Sequence, residues 1–109
     1  MAGPGVQAEE LLVILRGLVS EVPHQRALTA DQVTDCVGSY SEADGRVLAG
    51  VLAVAACSEA DATALEAQLN AIIQLGSLAD EGSVSYVKEL EGRPLPGILS
   101  EYIHDILHE

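Results

Sequence analysis

Two histidines, His104 and His108, stand four residues apart in a stretch with helical spacing, so both imidazoles fall on one face and can grip one divalent cation. Asp105 lies between them, where an acid is needed to work beside a metal-bound water. A catalytic zinc takes three protein ligands, and the H-x-x-x-H arrangement draws its third from further along the chain. Only Glu109 follows His108 here. The expectation is therefore a surface terminus, with no metal and no cofactor. His24 has no nucleophile near it in sequence, and no Gly-rich phosphate loop, nucleophile elbow or paired-cysteine motif is present.

Ser77 is the second residue with a chemical reading. Acyl and peptidyl carrier proteins are small, acidic and helical, and they attach phosphopantetheine to a serine followed by leucine, as in Ser77-Leu78. They place Asp before that serine and begin a helix there. Gly76 precedes Ser77 and Gly82 soon follows, so the stretch reads as a helix C-terminus in which Gly76 supplies a positive φ. Carrier activity at Ser77 stands as the alternative to a binding function.

Chemistry by contact is the stronger theme. The chain carries 17 Asp and Glu against 5 Lys and Arg, a net charge of −12 over 109 residues. Such a field opposes compaction and attracts basic partners. The acids are densest in the second half, and two of the three tyrosines, Tyr86 and Tyr102, fall among them. Aromatic side chains at a charged rim are the type enriched in protein interfaces. Asp80, Glu81, Tyr86, Glu89, Glu101, Tyr102 and Asp105 are thus the candidate partner-binding residues, with Tyr102 equally suited to the core by its spacing with Ile98 and Ile106. Nucleic acid is disfavoured as a partner, because phosphate contacts need clustered cations. Arg16, Arg26, Arg46, Lys88 and Arg93 are scattered, and pairing with neighbouring acids is expected of them.

Six helices must position these residues. The first is expected from Val6 to Ser20, closed by Pro23. Thr29 with Gln32 has the form of a capping box and opens a short second helix that ends near Gly38. Ser41 with Asp44 starts a third, which runs through the apolar stretch Val47 to Cys57. Being apolar nearly all round, it should be surrounded at the centre of the domain. Ser58 caps a fourth helix with Leu65, Leu69, Ile72 and Ile73 on its buried stripe. A short helix from Val84 to Leu90 follows, then the turn Arg93-Pro94-Leu95-Pro96-Gly97, then a helix from Ile98 to Leu107.

The fold class is all-α, a single domain over residues 1–109. Short connections favour antiparallel neighbours, giving a small HEAT-like stack of helical hairpins or an irregular bundle of about six helices. With no Phe or Trp, the core must be aliphatic. Cys36 and Cys57 are too few for a disulfide scaffold and are expected reduced, packed as small hydrophobes in a cytoplasmic protein. The amino terminus lacks a basic n-region, so no signal peptide is expected, and the Val47–Cys57 run spans only about half a bilayer core, so no membrane association is expected either.

One stretch carries a resemblance. Ala64-Leu65-Glu66-Ala67-Gln68-Leu69-Asn70-Ala71-Ile72-Ile73-Gln74-Leu75-Gly76 is followed by an acidic loop, a Val-rich half-helix and a terminal helix containing Glu101-Tyr102-Ile103. Over Val47 to Leu107 the pattern resembles small HEAT-like helical immunity proteins of bacterial polymorphic toxin systems. The resemblance implies a cytoplasmic protein with no enzymatic activity. It would bind a basic cognate toxin domain and occlude that toxin's active-site cleft. An acidic regulatory adaptor that mimics nucleic acid is a further alternative.

Overall fold

The structure is a computed structural model that describes residues 3–76 and 81–108, with the side chains of 81–83 left aside. All regular structure among the described residues is helical. The helices are α1 (Ala8–Leu18), α2 (Pro23–Asp35), α3 (Glu42–Ser58), α4 (Ala62–Leu75), α5 (Glu81–Lys88) and α6 (Gly97–Leu107), with 3-10 turns at Val37–Ser39 and Glu89–Gly92.

Consecutive helices pair as hairpins: α1 with α2, α3 with α4, α5 with α6. Alternate helices also touch, α1 against α3 and α3 against α5 on one side, α2 against α4 and α4 against α6 on the other. The hairpins therefore stack, with α1, α3 and α5 in one layer and α2, α4 and α6 in the second. Each hairpin alone leaves an apolar face bare, and stacking buries those faces against one another. Leu18, Val33, Leu48, Leu52, Leu69, Leu90 and Leu99 are all essentially inaccessible.

Two helix starts differ from their sequence reading. Thr29 does not open α2; Pro23 does, six residues earlier, at a first-turn position where its fixed φ suits the helix and its missing N–H is no loss. Thr29 is buried inside the helix, where its hydroxyl donates back to the Gln25 carbonyl at 2.9 Å. Ser58 does not cap α4 either. It is the last residue of α3, and Asp61 caps α4 by accepting the Ala64 N–H at 2.9 Å. The start of α3 is as read: Ser41 Oγ accepts the Asp44 N–H at 3.1 Å, and the Asp44 carboxylate accepts the Ser41 N–H at 3.2 Å.

Asp44 does more than cap. Its Oδ2 also accepts the Val6 N–H at 3.0 Å, while the Gly3 and Gly5 N–H groups donate to the Tyr40 and Ser39 carbonyls. The amino-terminal strand of chain is thereby strapped across the α2–α3 corner. Burial alone would raise the Asp44 carboxyl, but the N–H groups of Val6 and Ser41 with the Ser41 hydroxyl hold it below the usual carboxylate range.

The expectation that α3 is surrounded is corrected. Its inner face, Leu48, Ala49, Leu52, Ala53 and Ala56, is buried, but Val47 and Val54 are 43% and 49% exposed. The most enclosed helix is α4, which contacts α2, α3 and α6 and buries Ala64, Leu65, Ala67, Gln68, Leu69, Ala71, Ile72 and Leu75. A helix apolar on every side gives no sign of which side the fold will cover.

Candidate functional site

On the outer face of α3 the apolar residues Val47, Gly50, Val51, Val54 and Ala55, ending at Ser58, recur at the three- and four-residue intervals that make one continuous stripe. Leu18 and Val19 at the end of α1 form one wall and Tyr86 on α5 the other, enclosing an open cleft of about 830 Å³. Tyr86 is 46% exposed and Val19 64% exposed, so apolar surface continues onto both lips. A contiguous exposed apolar patch with polar surroundings is the usual mark of an interaction surface.

The carboxyl-terminal end of the cleft is fixed by a partly buried ion pair. Arg26 grips Glu59 in bidentate fashion, Nε to Oε1 and Nη2 to Oε2, both at 2.7 Å, and its Nη1 donates to the Ser20 carbonyl at 2.8 Å. Gln68 Nε2 and the Asp61 N–H complete the shell of Glu59 at 2.8 and 3.1 Å. Burial of this carboxylate, 3% exposed, would raise its pKa, yet the donors from Arg26, Asp61 and Gln68 outweigh burial and hold it low. Glu59 is thus a structural anion joining α2, α3 and α4, and it adds nothing to the exposed acidic surface. Arg93 adds to this corner from the far end of the chain, donating to the Cys57 and Glu59 carbonyls at 3.2 and 3.3 Å. At the other end of the cleft Arg46 is exposed and makes no ion pair among the described residues.

The candidate binding residues are distributed over more than one surface. Tyr86 lines the α3 cleft. Glu89 is exposed in the 3-10 turn after α5, and Glu101 and Asp105 are exposed on α6. Tyr102 is partly buried and lines a separate hollow with Asp31, Glu66 and Asn70, so the two tyrosines do not share a site. Asp80 and Ser77 lie outside the described residues, and Glu81 opens α5 with its side chain likewise outside them.

His104 and His108 do stand on one face of α6, ring centroids 4.3 Å apart, beside a small hollow that Glu91 also lines. Among the described residues no group of three or more His, Cys, Asp or Glu side chains is arranged to hold a metal ion. The cysteines are both unpaired, but Cys36 is exposed at the end of α2 instead of packed. Cys57 is half-buried and donates its thiol to the Tyr86 carbonyl at 3.0 Å. Burial, assisted by Glu89, pushes its pKa up against the pull of Arg93, which keeps the thiol neutral and a poor nucleophile.

Among the described residues, fold and cleft together define an all-helical stack of hairpins with an open apolar groove along α3. No described helix is long and apolar enough to cross a membrane. Compared with known proteins, the chain matches no family model, no curated protein and no solved structure. Its function is therefore argued from its own residues. The cleft was hidden from sequence reasoning because Val47, Val51 and Val54 are as apolar as the Leu and Ala residues that α3 buries. The Arg46 charge beside them was the available signal.

Proposed function

We propose that this chain is a protein-binding module with no chemistry of its own, and that it captures a basic protein partner, in the manner of a cytoplasmic bacterial immunity protein neutralising a toxin. The observation that carries the reading is the uncovered α3 stripe with Tyr86 on its lip, in a molecule of net charge −12. An exposed apolar groove supplies the short-range contact area, and tyrosine is a residue type favoured in interface hot spots. The long-range field does the steering: acidic surfaces accelerate encounter with basic partners to about 10⁸–10⁹ M⁻¹s⁻¹ at low salt. Stacked-hairpin folds present one face of a layer for such contacts.

Association kinetics with the protein encoded by the neighbouring gene test this reading. Capture of that protein, slowed by added salt and slowed further when Glu89, Glu101 and Asp105 are all changed to Lys, is the expected result. A folded triple variant that captures it at the wild-type rate at every salt concentration would show that the acidic surface steers nothing.

A further inference from the structure

The occupant of the α3 cleft can be described from its walls. The stripe from Val47 to Ser58 is about 17 Å long at 1.5 Å per residue, or three helical turns, and it is flanked on both sides by other helices of the same layer. A trough between helix walls, floored by i, i+3, i+4 ridges, is the surface into which a further helix packs. The charges at its ends are unequal. Arg26 is neutralised by Glu59 at 2.7 Å, whereas Arg46 lines the cleft with no ion-pair partner among the described residues.

We propose that the cleft receives an amphipathic helix of the partner protein. That helix lies along α3, buries an apolar face against Val47, Val51 and Val54, and sets a carboxylate opposite Arg46. Apart from that carboxylate the helix is basic, because the molecule it approaches carries a net charge of −12. A second copy of this chain would bring together two molecules of net charge −12, which the field opposes. A single-chain lipid would leave much of its tail in water, since Val47, Val54 and Tyr86 stay nearly half exposed and a small-molecule pocket normally encloses most of its ligand. This inference rests on the binding-module reading above and specifies its partner.

The test uses synthetic helical peptides of about 14 residues, about four turns. Each has leucines at i, i+3, i+4 and i+7, lysines elsewhere and a glutamate at one end, and a peptide of the same composition with the leucines scrambled serves as control. Binding is read by fluorescence anisotropy and mapped by amide chemical shifts. The striped peptide is expected to bind and to shift α3 resonances. Val54→Glu should weaken it at least about tenfold, as loss of an interface anchor does, even though that change adds negative charge that would favour a lysine-rich ligand. Arg46→Glu should weaken it too, and replacing the peptide's glutamate by lysine should restore binding to that variant. Both substitutions are at exposed positions, and circular dichroism checks that the variants stay folded.

Equal binding of the scrambled peptide would overturn the inference in favour of charge adsorption. So would shifts confined to α6 that vanish with Glu101→Lys and Asp105→Lys, an outcome that leaves recognition of a basic protein standing. Dimers in sedimentation that Val54→Glu dissolves, or binding of a long-chain fatty acid with the peptides silent, would assign the cleft to those occupants instead. Absence of any peptide binding at low salt overturns the inference, while the binding-module reading stands or falls with capture of the protein encoded by the neighbouring gene.

Discussion

Glu59 shows how one side chain can organise a small protein. It accepts from Arg26, Gln68 and the Asp61 N–H while almost wholly shielded from water. Removing one member of a buried pair typically costs about 3–5 kcal/mol, because the other charge is left unanswered. Arg26 keeps 19% of its side chain open to water, so Glu59→Gln is expected to lose less than that in urea unfolding at neutral pH. Its pH dependence has a definite sign. The folded-state pKa is held below the ordinary 4.5, so the stabilisation is complete above that value and disappears as pH falls through the lower one. Wild type should lose stability more steeply than Glu59→Gln as pH drops below 4.5; parallel losses would mean the carboxylate is not held as described. That Arg26 pairs with an acid was expected from the sequence, but not that the acid is Glu59, which stands 33 positions away and meets it only in the fold.

At the scale of elements, α1 and α2 meet through Gly17. A Cβ there would press on Thr29, 2.8 Å from its Cγ2 and closer still to its hydroxyl. Gly17→Ala gains about 1 kcal/mol in helix propensity, but overpacking costs about 1–3 kcal/mol and the β-branched Thr29 is too stiff to turn away. A net loss of up to about 2 kcal/mol is expected, and Gly17→Ala combined with Thr29→Ala should recover part of it. A lower denaturation midpoint for Gly17→Ala, relieved in the double variant, is the measurement; a higher midpoint for the single variant contradicts the close approach. The same pair of helices shows where local signals mislead. Ser41 and Asp44 form the capping box their spacing announces, whereas Thr29 and Gln32 have a similar spacing inside a helix already started by Pro23. A capping pattern is decided by what precedes it, and six helices were readable mainly from apolar periodicity.

For the whole molecule, charge and size set the response to salt. The molecule measures 38 × 30 × 20 Å, comparable to the screening length of about 30 Å at 0.01 M salt and far larger than the 8 Å or so at 0.15 M. At low salt the acids repel one another across the entire body. The melting temperature at pH 7 should therefore rise by several degrees between those two conditions, since the shielded Arg26–Glu59 pair loses little to screening while exposed repulsions are relieved. A flat or falling melting temperature would show that local pairing already offsets the charge. The all-helical class was plain from apolar periodicity and the excess of acid from composition, but the groove was not, because which face of α3 stays open depends on where α1 and α5 come to rest.

Arg93 satisfies the last carbonyls of α3 from 34 and 36 residues further along the chain. Protein synthesis runs from the amino terminus, so the first two hairpins emerge with those carbonyls bound only to water. The surfaces destined for Val87, Leu90, Leu99 and Ile103 are likewise bare at that stage. The third hairpin is the closing stitch, and a newborn chain keeps those surfaces adhesive until residues 81–107 have left the ribosome.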